Sequence, residues 1–336
     1  MTDWNFATTL IGSLPCKSPS EAVDKVLGGH VDCPCWPQLP ARGNCESMYL
    51  QTGEHLPGIY TRDDKIIVDL GNYDPTEAYM AILGEDVSYF QAQEEHHAGL
   101  YEFLGRDVSK FMAVKGQVTG PISEGLLVED STGRPVIYDE SYSEIVRKTV
   151  NMAAKWQVGE LRKLNDNVIM FFDEPSMSLL GTPFASISDD EAVAWINEAI
   201  EGVDAITAIH CCGNTNWPLV LGTNIQLLNF DAYVYGKNIT LFPEEISAFL
   251  DRGGILAWGI VPNSSLIEGE TPETLADRLC EHIDDLVKKG VDKDTLVRQS
   301  MLSPQCGLGG CDGEFVDEIL ELLDGTSKEM RKRCGL

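Results

Sequence analysis

The sequence predicts an α/β protein in which residues 1–336 form a single (β/α)8 TIM barrel carrying hairpin insertions at its rim. Three observations lead there. Short β-branched or apolar runs alternate with longer helical patterns, which is how a parallel sheet reads in sequence. Eight such runs occur, and several are apolar nearly throughout, as strands buried on both faces are. The chemically unusual sequences fall where these runs end, and in a barrel those ends form one rim where active sites are built.

The runs are Ala7 to Leu14, His30 to Trp36, Phe111 to Thr119, Val168 to Glu174, Ala205 to Cys212, Ile225 to Ala232, Ile255 to Val261 and Leu296 to Ser303. Between them, Ser18-Pro-Ser-Glu21, Asp74-Pro-Thr-Glu77 and Ser188-Asp-Asp-Glu191 each set a capping oxygen three residues before a carboxylate, so each starts a helix. Ile59 to Asp69, around Asp63-Asp64, and Leu126 to Tyr138, around Ser131 to Arg134, read as inserted hairpins near the barrel mouth. Periodicity does not see closure, so a doubly wound open sheet is the alternative. No internal repeat or linker interrupts the pattern, and the basic stretch Lys328 to Arg333 reads as a solvated helix end.

Composition narrows the functional classes. Hydrophobic residues are 43% of the chain, enough to bury a core, while a formal net charge of −28 repels nucleic-acid phosphates and anionic lipid. Nucleic acid and membrane partners are therefore not expected. With no apolar run long enough for a signal peptide or a membrane span, a cytoplasmic location is expected. Ten cysteines in such a chain read as metal ligands or reduced core residues rather than as a disulfide framework.

Spacing selects among them. Residues i and i+2 of an extended strand share a face, so His210 and Cys212 can reach one ion while Cys211 turns away. Cys306, after the last strand, would complete a set of one imidazole and two thiolates, which suits zinc with one position left exchangeable. Cys33 and Cys35 have the same spacing, but Pro34 and Trp36 favour a packing role. His96 and His97, beside Glu94 and Glu95, read as the solvated face of a helix.

The ordered strand ends Ile11-Gly-Ser13, Lys115-Gly-Gln-Val-Thr-Gly-Pro121, Asp173-Glu-Pro175, His210-x-Cys212 and Cys306-Gly307 resemble the catalytic barrel of cobalamin-independent methionine synthase, especially the short core methionine synthases. The chain is also similar to corrinoid-dependent methyltransferases that methylate coenzyme M, within the uroporphyrinogen decarboxylase-like superfamily. The resemblance spans nearly the whole chain. It implies that His210, Cys212 and Cys306 hold zinc, with Asp231, or less suitably Asn229, as a fourth ligand from the sixth strand. It further implies that Ile11, Gly12 and Ser13 cradle a substrate amino acid whose ammonium meets Asp173. Gln38, Arg42, Gln117, Thr119, Glu174 and Asn214 are the other substrate-binding candidates at the strand ends.

The expected activity is transfer of a methyl group from methylcobalamin, or another methylated corrinoid carried by a partner protein, to the thiol of homocysteine. His210, Cys212, Cys306 and Asp173 are the expected catalytic residues. Coenzyme M or another small thiol is the alternative acceptor, because Arg42 stands where the larger enzyme places a glutamate for the substrate amine, and an arginine grips a carboxylate, sulfonate or phosphate. A uroporphyrinogen-type decarboxylase, which needs no metal, is the competing enzyme class. Full-length methionine synthase carries a second, amino-terminal barrel that helps bind polyglutamyl folate, and this chain starts at the catalytic barrel. Folate is therefore not the expected donor.

Overall fold

The structure, a computed structural model, describes residues 3–63 and 65–336. Asp64, half of the expected hairpin turn, lies outside the described residues, as do Met1 and Thr2. The strands, in chain order, are β1 (Ala7–Thr8), β2 (Ile59–Arg62), β3 (Lys65–Val68), β4 (Val114–Thr119), β5 (Glu129–Asp130), β6 (Val168–Asp173), β7 (Ile206–Cys211), β8 (Leu227–Phe230), β9 (Ile255–Val261) and β10 (Ser300–Pro304). Seven of them form a curled parallel sheet in the order β1-β10-β9-β8-β7-β6-β4, while β2, β3 and β5 form a small separate sheet.

Seven of the eight expected runs thus become ladder strands, and the second, His30 to Trp36, does not. Pro34 and Pro37 carry no N–H, so this stretch cannot pair continuously. It instead bonds alternately to the two edge strands. Cys33 N donates to Thr8 O at 2.9 Å and Lys115 N to Pro34 O at 2.8 Å, and isolated parallel bridges join Thr9 to Cys33, Ser13 to Gln38, and Cys35 to Lys115. The ladder is not closed by regular pairing.

Burial follows the two faces of the sheet. A small apolar core, including Ile169, Phe171, Ala208, Leu227 and Met301, fills the inside of the curl, and a much larger one lies between sheet and helices. Cys33 belongs to the inner core and Cys35 to the outer, and burial pushes both thiols up, which makes them inert packing residues.

Two of the three capping signals fold as helix caps, at Ser188 and Ser18, whereas the helix after Asp74 starts at Thr76 with Pro75 at its N-cap and no side-chain cap from that residue. Ser188 Oγ accepts from Glu191 N while Glu191 accepts from Ser188 N, a complete capping box on the helix Asp189–Ile200. Ser18 caps Pro19–Val26, and Asp74 Oδ1 accepts from Thr76 N at the start of Thr76–Leu83. The stretch expected to bend near Asp63 is the antiparallel pair β2–β3. Of the Leu126 to Tyr138 stretch only residues 128–136 turn back antiparallel, closed by Asp130 N to Arg134 O at 2.8 Å, since Leu126 and Leu127 end the helix Pro121–Leu127 and Val136–Tyr138 is a 3-10 turn; β5 adds in parallel to β3.

The expectation for His97 needs correction. Residues 94–96 form a turn rather than a helix, so neither His96 nor His97 lies on one, and His97, at the N-cap of Ala98–Leu104, is buried against the Trp36 ring at 5.7 Å between centroids. Burial lowers its imidazole to about 4, so it is neutral. Lys328 to Arg333 lie on the helix Phe315–Cys334 and pair with Asp324, Glu329, Asp277 and Asp32. Among the described residues no helix is long and apolar enough to cross a membrane.

Candidate metal centre and substrate cavity

Parallel register brings the polar strand ends into one layer. Thr119 pairs with Asp173, Asp173 with His210, and His210 with Asn229 across β4, β6, β7 and β8. His210 is the penultimate residue of β7 and Cys212 follows its last, so both side chains leave the same side of the strand, as the alternation of an extended chain requires. The loop after β10 brings Cys306 to them. One ligand atom from each of His210, Cys212 and Cys306 lies within 4.8 Å of the others, close enough to share an ion.

The donor set fits a soft metal on observations of the chain itself. His210 Nδ1 is 2.5 Å from Asn229 Oδ1, while the buried Nε2 has no hydrogen-bond partner. The Cys306 thiol beside it holds Cys212 down to about 4, and the thiolate so formed pushes Cys306 up. The two sulfurs thus share a proton in a place where a divalent cation would serve both. Such a three-ligand set could hold zinc and leave a position for substrate.

These residues line a cavity of about 490 Å³ together with Ile11, Ser13, Gln38 and Asp173. Asp173 is buried, its Oδ1 has no hydrogen-bond partner, and burial raises its pKa against the opposing charges of Lys115 and His210. A buried carboxylate with an unpartnered oxygen on a cavity wall is suited to a cationic ligand group. Gly12 sits at φ +148°, and a side chain there would press on the Gln117 amide at 3.0 Å, so glycine is required for the turn. Ser13 fastens this turn to the Cys306 loop, its carbonyl accepting from Leu308 N at 2.9 Å and its Oγ from Gly309 N at 3.1 Å.

The remaining candidates do not line the cavity. Arg42 is paired with Glu46 at 3.0 Å. Gln117 accepts from Lys115 Nζ at 2.9 Å and donates to Trp36 O, and the Thr119 hydroxyl donates to Met48 O. Asn214 accepts from Asn238. Glu174 turns the other way: it accepts from Ile122 N, Ser123 N and Ser123 Oγ at 2.9, 2.8 and 2.6 Å, at the start of helix Pro121–Leu127. Asp231 stands outside the ligand group as well, since its Oδ1 caps the helix Ala232–Ile239 through Val234 N at 2.9 Å and its Oδ2 faces Gln305 at 3.4 Å.

Sequence reading missed part of the wall. Glu46, Ser47 and Met48 line the cavity, and Glu46 is buried, its carboxylate taking Arg42, Gln51 Nε2 at 3.1 Å and Ala98 N at 3.2 Å. Nothing in helical spacing pointed to it: Arg42 and Glu46 lie on two short 3-10 turns, Pro40–Arg42 and Asn44–Glu46, separated by Gly43 at φ +112°, and the two charges pair across that bend. Lys115 was legible as part of a motif but not as a support: wholly buried over the Phe171 ring, it donates to Ile11 O at 2.6 Å and steadies the loop that lines the cavity.

No protein-family profile and no curated protein sequence matches the chain. Solved structures do. A B12-independent methionine synthase from Shewanella sp. W3-18-1, in complex with selenomethionine, matches with a TM-score of 0.60 at 17% identity, over 98% of this chain and 98% of that one. A methyltransferase from Methanosarcina mazei matches with a TM-score of 0.58 at 14% identity, over 95% and 87%. A protein from Listeria monocytogenes, described as a candidate vitamin-B12-independent methionine synthase, matches with a TM-score of 0.53 at 16% identity, over 91% and 85%. At such identities the likeness is one of fold: the chain has the fold of methionine synthase-like proteins and of a methyltransferase, in keeping with the resemblance its strand-end motifs carry.

Proposed function

We propose that this chain is a zinc-dependent methyltransferase that transfers a methyl group from a methylated corrinoid to the thiol of homocysteine, giving methionine. The observation that carries this reading is the meeting of one imidazole and two cysteine sulfurs within 4.8 Å in a cavity that the buried carboxylate of Asp173 also lines. The fold neighbours support methyl transfer, and the selenomethionine bound by the Shewanella protein fits an amino-acid product. We read the sheet as a (β/α)8 barrel whose second strand is the bridge-bonded stretch 32–38.

His210, Cys212 and Cys306 would hold the metal. Zinc bound there supplies the Lewis acidity that keeps a thiol substrate in its nucleophilic, deprotonated form at neutral pH. Asp173 pairs with the substrate ammonium and so orients the sulfur, which is the positioning part of catalysis. Ser13 ties the amino-acid-binding turn to the Cys306 loop, so substrate and metal sites keep a fixed separation. As the S–CH3 bond forms, the cobalt–methyl bond breaks with its electron pair left on the corrinoid, and the thiol proton passes to solvent.

The same geometry weighs against coenzyme M as acceptor. Arg42, the residue that would grip a sulfonate, is spent on Glu46, and the carboxylate of Asp173 on the cavity wall repels an anionic head. The test is to incubate zinc-loaded protein with methylcobalamin and either homocysteine, cysteine or coenzyme M, then identify the methylated product. Methionine is expected. Methylated coenzyme M instead would reassign the acceptor, and no product from any thiol would overturn the reading.

A further inference from the structure

We infer that Asn229 is a positioning residue that fixes His210 in the Nδ1–H tautomer and so decides which imidazole nitrogen faces Cys212 and Cys306. The use of that nitrogen rests on the metal-site reading above; the tautomer itself does not.

The direction of every hydrogen bond in the network follows from one group. Asn229, wholly buried on β8, has its Nδ2 at 2.9 Å from Ala257 O and 2.7 Å from Ser303 Oγ. A backbone carbonyl only accepts, so the atom facing Ala257 must be the amide nitrogen, since the flipped amide would set two oxygens against each other. Ser303 agrees. Its own hydroxyl proton goes to Pro304 O at 2.9 Å, which leaves its oxygen to accept from Asn229. Asn229 Oδ1 therefore points at His210 Nδ1, 2.5 Å away, and this oxygen has no proton to give. The imidazole must donate from Nδ1, and the neutral ring then carries its lone pair on Nε2, the atom left with no partner beside the two sulfurs.

The consequence is specific to an amide. Metal-bound histidines commonly donate their second N–H to a carboxylate or carbonyl, which sets ring orientation and ligand basicity. A neutral amide orients the ring without adding negative charge, so the cluster keeps only the charge of its sulfurs. The thread His210–Asn229–Ser303 also runs from β7 through β8 to β10, tying the strand that bears two of the ligands to the strand that leads into Cys306. Asn229 thus supports the metal site from behind and is not a ligand.

The test uses the full chain with 15N-labelled histidine, the His210 signals being assigned with His210→Gln among the six histidines. In metal-free protein, titrated to the pH where its ring is neutral, His210 is expected as the Nδ1–H tautomer, and Asn229→Leu should lose that single form. Zinc affinity, measured by competition with a chelator, should fall about 10 to 100-fold in Asn229→Leu, the range for loss of such a supporting partner. Asn229→Asp, which still accepts from Nδ1 although it sets an oxygen against Ala257 O, should keep the Nδ1–H form that Asn229→Leu loses. Ser303→Ala removes only the anchor of the amide and should weaken zinc binding in the same direction by less, which keeps the test available if Asn229→Leu does not fold. An Nε2–H tautomer in the wild type, or zinc affinities of both weakening variants within twofold of wild type, overturns the inference. A wild type that binds no zinc yet shows the Nδ1–H form, lost in Asn229→Leu, would refute the metal-site reading and leave this inference standing.

Discussion

Asp173 and His210 stand opposite one another on the adjacent parallel strands β6 and β7, and the buried carboxylate keeps one oxygen without a hydrogen-bond partner beside the imidazole. A parallel ladder puts residues in register onto the same level of the sheet. The strand ends therefore deliver an acid and a metal-type ligand to the same depth of the cavity with no loop needed to bring them together. A site made this way is as rigid as the sheet that carries it.

That relationship predicts the behaviour of Asp173→Asn. The variant should weaken binding of an amino-acid thiol by roughly 1.5 to 3 kcal/mol, the worth of a charge-assisted hydrogen bond. Zinc content should not change, because Asp173 is not in the ligand group. Michaelis constants for homocysteine beside a thiol lacking an amine provide the check, with a selective rise for homocysteine as the expected result.

Metal stoichiometry is the second prediction. Purified protein should hold about one zinc per chain, and Cys212→Ser or Cys306→Ser should remove most of it, since serine is a far poorer zinc ligand than thiolate. Both variants should still unfold cooperatively, because the two apolar cores do not depend on the cluster. Elemental analysis and a thermal melt on the same samples decide the matter, and full zinc in both variants would remove the site.

Glu174 yields a prediction about pH and stability. Burial lifts its carboxyl from 4.5 to about 7, although Ser123 and Ile122 donate to it. The folded state therefore holds a proton that the unfolded chain has released, and by linkage the stability present below about 4.5 is lost as pH rises through about 7. The buried carboxylates of Asp173 and Glu124, also raised by burial, add slope of the same sign. Glu174→Gln should flatten part of this slope between about pH 4.5 and 7. It should also cost about 1 to 3 kcal/mol, because an amide cannot accept on both atoms from the first turn of Pro121–Leu127. Urea denaturation across that pH range measures both effects.

The cluster was legible because strand alternation is a local rule: His210-x-Cys212 needs only an extended chain, and Cys306 needs only to follow the last strand. What the sequence concealed depends on partners distant in the chain. Asp231 and Glu174 have the right type and place for a site, yet each meets free N–H groups at the start of a helix, Ala232–Ile239 and Pro121–Leu127, and an unsatisfied helix end takes a nearby carboxylate. Arg42 was open to an anionic substrate in sequence and is closed to it in space by Glu46. The second strand was legible as an apolar run, but its prolines limit it to isolated bridges, an effect visible only with its neighbours in place.

The donor is the last prediction. Among the described residues no lysine or arginine side chain lines the cavity, whereas Asp173 does, and Glu46 on its wall is ion-paired with Arg42, in a chain of formal net charge −28. A folate with an acidic glutamyl tail would approach against that field, and repulsion between like charges lowers encounter rates, more so at low salt. Methyltetrahydrofolate should therefore be a poor donor, and methylcobalamin, which has no such tail, a competent one. A second groove of about 350 Å³ adjoins the cavity, sharing Asn44 and Ser47 with it and bounded by Thr61 and Arg62 at the end of β2. The turn at Ser131 to Arg134 bounds neither, so among the two insertions it is the β2–β3 pair that is placed to touch a carrier protein at the mouth. Arg62→Ala should slow transfer from a methylated corrinoid protein by a few-fold, as loss of a rim charge alters association, and leave transfer from free methylcobalamin unchanged. Equal loss with both donors would deny the β2–β3 pair a docking role. Efficient turnover with methyltetrahydrofolate alone would overturn the corrinoid assignment, and a rate with that donor that climbs with added salt, yet stays below the methylcobalamin rate, would show the field acting as described.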